Sequence, residues 1–507
     1  MTPKIGPWVL LATIVGSSLS FIDGTAVNVA LPALQRDLRA TASDVQWVIE
    51  IYALFLSALI LVGGSLGDQF GRRRVFAVGV GLFTVASMWC GLAPNLGQLI
   101  AARAIQGIGG ALLVPGSLAI ISASYDESHR GRAIGTWSGF ATMTSALGPV
   151  LGGWLIQIVS WRAVFFINVP LAAVTLAVTA WRVPESRGPE ATGPLDWRGA
   201  GLATFGLGAV VYGLIQSSTR GLTDPQVLSA MGAGLLALLL FVLVEARAAA
   251  PMMPLSLFQS RTFSGTNLMT FLLYGGLGGA FYFLPFNLQQ VQGYSAVAAG
   301  AAMLPFPVIV FLLSRWSGGL LGKHGAKLPL VVGTVIAASG FALFAVPGVG
   351  GSYWTTYFPG VVVLGAGMAL VIAPLSTAVM GAVDSERAGV ASGINNAVSR
   401  AAGLLAIAVL GLLVAAAFNA SLDGRLVAHH LGPALRHAVE ARRARLAAAG
   451  APAGVGSAVR LAVHQAVGAA YVAGFRLAML TAAGLALAGA CAAGWLVEGK
   501  GRGAQPV

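Results

Sequence analysis

The chain has 507 residues, 57% of them hydrophobic and only 9% charged, with a mean hydropathy of +0.81. Soluble domains carry about 25% charged residues, so a water-exposed surface is excluded; two distant cysteines, Cys90 and Cys491, exclude a disulfide scaffold, and the lack of charge-rich tracts excludes disorder. The excess of 30 basic over 17 acidic residues lies between apolar runs rather than on one patch, so the expected partner is a lipid bilayer and not nucleic acid.

A transmembrane helix needs about 20 mostly apolar residues. Fourteen stretches qualify, near 7–31, 46–67, 75–93, 97–121, 132–158, 162–182, 199–216, 227–246, 262–290, 296–320, 327–346, 355–380, 388–416 and 470–497. The first follows Lys4 like a secretory signal, but Asp23 interrupts it and no A-x-A-like site follows. No alternating segments of the kind that build a transmembrane β-barrel occur.

An inside N-terminus puts Arg72–Arg74, Arg130, Arg132, Arg182, Arg187, Arg247 and Lys323 on one side, against Arg36, Arg39, Arg162 and Arg220 on the other. Lysine and arginine in short loops set orientation, so both termini are expected in the cytoplasm. The stretch 417–469 is basic yet external by this count. It reads as a helical hairpin, with a helix over 432–448, a turn over 449–456 and a second helix over 457–469. Glycine, 68 of 507 residues, is nearly twice its usual share of about 7%, as close helix packing in lipid requires.

After the second span the chain reads Gly64-Ser-Leu-Gly67-Asp68-Gln69-Phe-Gly71-Arg72-Arg73-Arg74. This resembles the loop motif of the major facilitator superfamily, with Gln69 where arginine is usual. The resemblance implies a cytoplasmic latch made by Gly64, Asp68, Gly71, Arg72 and Arg73. The spacing of Gly64 and Gly71 recurs at Gly318 and Gly325 without the acid, as a duplicated transporter would show. Gly148-Pro149-Val-Leu-Gly152-Gly153 in the fifth span is similar to the antiporter motif of exporters, with Thr144 where a further glycine is usual. Three further matches point to the fourteen-span drug:proton antiporter branch. They are Ile22-Asp23-Gly24 to Pro32, Arg103 to Gly110, and Trp161-Arg162 with Asn168-Val169-Pro170. Glu386-Arg387-Ala388-Gly389 with Asn395-Asn396 matches the entry to the thirteenth span.

The resemblance implies an all-α membrane protein of the major facilitator fold, with two six-helix bundles and two additional linker helices. The corresponding domains are 1–185, 186–255 and 256–507, the last with the external hairpin 417–469.

Ionisable residues at mid-span cost about 2.5–3.5 kcal/mol on insertion scales, so each calls for a reason. Asp23 and Glu50 are the acids read as lying well inside spans, and Arg103 is read as the only such cation; Glu245 sits at a span end with access to water. At 1.5 Å per residue, Asp23, Arg103 and Glu50 lie roughly 12, 9 and 6 Å from the external ends of their spans. Thr13, Gly16, Ser20, Asp23 and Val27 form one small, polar helical stripe. By resemblance the first and fourth spans line the central cavity, so Asp23 and Arg103 are expected to face each other there and to exchange protons and substrate. Glu50 is expected either as an additional proton or cation site or as an acid reaching the interface. A capping box at Ser43 and Gln46 is read as the start of its helix.

No metal site is expected from His429, His430, His437 and His464, and no cofactor or ATP-binding loop is indicated. No nucleophile–base constellation of an enzyme is found. The function expected is proton-coupled, secondary-active export of amphipathic or cationic organic compounds by a monomer in the cell membrane, with protons and a small-molecule substrate as partners. The alternatives are a dedicated metabolite exporter or symporter and, with no soluble domain in the short segment after 497, more distantly a membrane sensor.

Overall fold

The computed structural model describes residues 6–187, 196–248, 251–383, 388–428, 431–452 and 454–499. Glu386, Arg387, His429 and His430 therefore lie outside the described residues. Among the described residues there is no strand, and fourteen helical stretches are long and apolar enough to span a membrane.

The first half comprises α1 (Gly6–Asp37), α2 (Ala42–Phe70), α3 (Arg72–Leu92), α4 (Leu96–Ser124), α5 (Glu127–Ile158), α6 (Ala163–Phe166) and α7 (Asn168–Arg182). A pair follows, α8 (Trp197–Arg220) and α9 (Pro225–Glu245). The second half comprises α10 (Arg261–Phe286), α11 (Ala296–Ala302), α12 (Pro305–His324), α13 (Lys327–Phe344), α14 (Tyr353–Thr356), α15 (Phe358–Gly381), α16 (Ala388–Ala428), α17 (Pro433–Glu440) and α18 (Ser457–Leu496).

Three expected spans are each built from two helices, and proline explains the breaks. Pro170, Pro305 and Pro359 sit within the first three residues of α7, α12 and α15. Proline lacks an N–H and disfavours helical geometry in the residue before it, so it starts a helix more readily than it continues one. The ninth span ends in a π-turn at Asn287–Val291, just after Pro285. Helix α2 begins one turn earlier than Gln46 and not with Ser43. Thr41 caps it, with Asp44 N–H donating to Thr41 Oγ1 at 3.2 Å and Thr41 N–H donating to Asp44 Oδ2 at 2.9 Å.

The stretch 417–469 differs from the expected hairpin. Helix α16 runs on to Ala428, and α18 starts at Ser457, because no proline interrupts the backbone where hydropathy falls. Between them lie the eight-residue α17 and a 3₁₀ segment, Arg443–Ala448, interrupted at Leu446 with φ +50°. The expected single helix over 432–448 is thus two pieces.

The first-half helices pack mainly on one another, α4 against α2 and α3, and α1 against α5 and α7. In the second half α10, α16 and α18 pack together, as do α13 and α15. The two bundles meet where α5 contacts α11 and α12, and where α2 contacts α16; the α8–α9 pair rests on that second seam through α8. Glu245 does not reach water. It is 2% exposed, and its Oε2 accepts from Met253 N–H at 2.9 Å because the following connection folds back over it.

Candidate functional site

The buried polar centre of the first bundle is assembled from five helices, α1, α2, α3, α4 and α7. Asp23 of α1 and Arg103 of α4 are both 0% exposed, with Arg103 Nη1 2.5 Å from Asp23 Oδ2. Gln106, one turn along α4, donates Nε2–H to Asp23 Oδ1 at 2.9 Å and accepts from Arg103 Nη1 at 2.8 Å. Arg103 Nε–H donates to the Val48 carbonyl of α2 at 3.0 Å, while its Nη2 has no partner. Asn168, held at the start of α7 by the Pro170 break, bonds Ser87 Oγ at 2.9 Å and approaches Asp23 Oδ1 at 3.5 Å. The guanidinium also lies over the Tyr52 ring, 4.2 Å from its centre, and Tyr52 Oη bonds Ser20 Oγ at 2.9 Å. An ion pair removed from water in this way needs good geometry and further hydrogen bonds to be tolerated, and both are present.

A cavity of about 450 Å³ lies between the bundles beside this centre. That volume suits a drug-sized molecule. Arg103 reaches its wall, but Asp23 does not: α1 lends Gly24, Thr25 and Asn28 to the lining, the face next to the polar stripe. The expectation that both partners face the cavity is corrected accordingly. Thr13, Ser20, Asp23 and Val27 turn inward, where α2, α4 and α7 pack against α1.

Glu50 is 0% exposed, and neither of its oxygens makes a hydrogen bond of good geometry. It lies on α2 between Gln46, which lines a second cavity of about 400 Å³, and Ala53, which lines the central one. This position is interior, so an acid reaching the interface does not describe it.

The expectation of a single in-span cation is also corrected. Arg400 of α16 lines the central cavity, and Arg476 lies midway along α18, donating to the Val346 and Pro347 carbonyls at 3.1 and 3.3 Å. Both could have been found by applying to the last spans the search that isolated Arg103.

At the end of the bundle that carries Arg72–Arg74, Asp68 pairs with Arg72 at 2.8 Å. Arg73 turns instead to Glu185, whose Oε1 accepts its backbone N–H at 2.9 Å; Arg74 lies 3.7 Å from the same carboxylate. Glu185 was not anticipated. Gly71 has φ +109°, which calls for glycine, and a Cβ there would also displace the Glu185 carboxylate, 2.8 Å away. Gly325 repeats the positive φ, at +70°. Gly64 is not crowded, since a Cβ there would meet only Pro115 at 3.7 Å.

Gly148 and Gly152 of α5 pack on Thr25 and Ala26 of α1, while Gly153 faces Ala296 of α11 and Gly300 faces the Pro149 carbonyl. The Gly148–Gly153 motif is therefore a seam joining both bundles. Hydrogen bonds between bundles made by the described residues cluster at the end opposite Arg72–Arg74. Gln289 donates to Val29 O at 2.9 Å, Gln290 to Gln35 Oε1 at 2.9 Å, Gln35 to Arg445 O at 3.3 Å and Gln46 to Ile407 O at 3.1 Å. These bonds tie the two bundles together on that side.

The family model of the Major Facilitator Superfamily matches residues 13–407, from the first helix of this site to the last. The chain belongs to the major facilitator superfamily. It is 34% identical over 429 residues to the multidrug resistance protein Stp of Mycobacterium tuberculosis, covering 84% of this chain and 79% of that protein. It is 36% identical over 425 residues to the tetracenomycin C resistance and export protein of Streptomyces glaucescens, covering 82% and 78%. A bacterial homolog of the human lysosomal transporter Spinster, in an inward-facing and unoccupied conformation, shares the fold with a TM-score of 0.69 at 19% identity over 98% of both chains. As a superfamily member with fourteen spans, the protein is a multi-pass membrane transporter of small molecules.

Proposed function

We propose that the protein is a proton-coupled exporter of amphipathic organic compounds, of the multidrug efflux type, working by alternating access. The observation that carries this reading is the buried Asp23–Arg103 pair, whose arginine reaches the wall of a drug-sized cavity while its aspartate stays behind it. Protonation of Asp23 removes the charge that holds Arg103. This changes the wall of the chamber and biases one bundle arrangement over the other. Resistance and export proteins among the relatives support an efflux role.

In this reading the Arg72–Arg74 end and both termini face the cytoplasm of a cell-membrane monomer, and the cavity is in its inward-facing state. Residues 1–185 and 256–507 rock against each other about the Gly148–Gly153 seam, with 186–255 following along the α2–α16 side. Asp68, Arg72 and Arg73 form the cytoplasmic latch, here engaged only within the first bundle. Glu50 is a second proton site in the layer separating the two cavities.

A dedicated exporter of one compound is the second reading, favoured by relatives named for single antibiotics such as tetracenomycin C and puromycin. Vesicles with an imposed pH gradient test the proposal. Uptake of a substrate panel into inverted vesicles should require the gradient and be lost in Asp23→Asn. Gradient-driven uptake that persists in that variant overturns it, and uptake of a single compound selects the second reading.

A further inference from the structure

Arg400 stands out among the charged groups of the central cavity because none of the described residues answers its charge. It makes no hydrogen bond or ion pair with any described residue, and its Nε is shut away from solvent without an acceptor. The other cation of the lining, Arg103, is already engaged by Asp23, Gln106 and the Val48 carbonyl. Among the described residues no aspartate or glutamate lines the cavity. A guanidinium does not lose its proton in a protein, so Arg400 carries its charge in the cavity wall. A half-buried cation without a counterion is unfavourable, and the remedy is an anion presented in the plane of its N–H fork.

The remaining lining says what that anion is attached to. Tyr274, Phe281 and Phe306 provide aromatic faces on the second-bundle side, and Asn396 and Ser399 stand beside Arg400 on α16. We propose that Arg400 is an anion-binding subsite of this chamber, taking the carboxylate of an aromatic organic acid whose rings lie against Tyr274, Phe281 and Phe306. Among amphipathic compounds the chamber then selects acids over cations of the same shape. This rests on the reading of the cavity as the substrate chamber.

Three probes with one ring system test it: 9-anthracenecarboxylate, 9-anthracenemethanol and 9-anthracenemethylammonium, titrated against the purified full chain in detergent by calorimetry. The native protein should bind the carboxylate about tenfold or more tightly than the ammonium, with the alcohol between. In Arg400→Gln, checked for monodispersity, the carboxylate-to-ammonium ratio should fall to about one. Arg400→Lys, which keeps the charge but not the fork, should give an intermediate ratio and serves if the glutamine variant does not fold. A native ratio near one, or a ratio unchanged in the folded variants, overturns the subsite. If the alcohol still binds in that case, the chamber reading stands. Failure of all three probes to bind the native protein overturns both.

Discussion

Nη1 of Arg103 sits 2.5 Å from Oδ2 of Asp23, and neither side chain has any exposure to solvent. Removing one partner of such a pair leaves a buried charge with no counterion, at a cost of about 3–5 kcal/mol. Arg103→Gln should therefore lower the melting temperature of the purified protein sharply, whereas Asp23→Asn with Arg103→Gln should recover most of the loss. Neither variant should transport. A double variant no more stable than the single one would show that the pair is not an energetic unit.

Gly71 and Gly64 belong to one motif but differ in what they hold. Alanine at Gly71 must adopt φ +109° and press on Glu185, a strain of about 1–3 kcal/mol, while alanine at Gly64 meets ordinary contacts. Gly71→Ala should lose transport and thermal stability, and Gly64→Ala should stay close to native in both. The contrast is read from paired melting curves and vesicle uptake.

The seam between α5 and α11 has no room for a side chain. A Cβ on Gly153 would lie 2.5 Å from the Ala296 carbonyl oxygen. Gly153→Leu should wedge that seam apart and open the clasped end. A cysteine introduced at Gln289 would then react with a membrane-impermeant maleimide at least several-fold faster than in the Gly153 background. Equal labelling rates would argue against the seam as the closing surface.

Neither oxygen of Glu50 makes a hydrogen bond of good geometry, and glutamine there can keep whatever contact Gln46, one turn before it, provides. Glu50→Gln should unfold within about 1 kcal/mol of native, or be more stable, since a buried polar group without well-made hydrogen bonds contributes nothing favourable. Uptake by this variant should respond less steeply to the imposed pH gradient. An unaltered response would remove Glu50 from the proton path.

Much of this site was legible because charge is rare in apolar spans. Asp23 and Arg103 stand out by that test alone, and helical spacing brings Gln106 beside them. Arg400 met the same test but sat next to a motif that drew attention to its polar neighbours Asn395 and Asn396. Glu185 carries no signal, since its contact with Arg73 joins residues 112 apart through a loop. The proline breaks at Pro170, Pro305 and Pro359 were visible in composition, yet a hydropathy window averages across them. The extensions of α16 and α18 escaped for the converse reason. Hydropathy marks where a membrane ends, and backbone hydrogen bonding has no cause to stop there.

The hydrogen bonds that clasp the bundles together at the end opposite Arg72–Arg74 are made by the amides of Gln35, Gln46, Gln289 and Gln290. Amides neither titrate nor attract counterions, so the strength of this clasp is indifferent to acidity and ionic strength. The gate therefore carries no sensor of its own. Whatever makes it respond to a proton must reach it mechanically, through the helices that bear both the glutamines and the buried acids: α1 carries Gln35 and Asp23, and α2 carries Gln46 and Glu50.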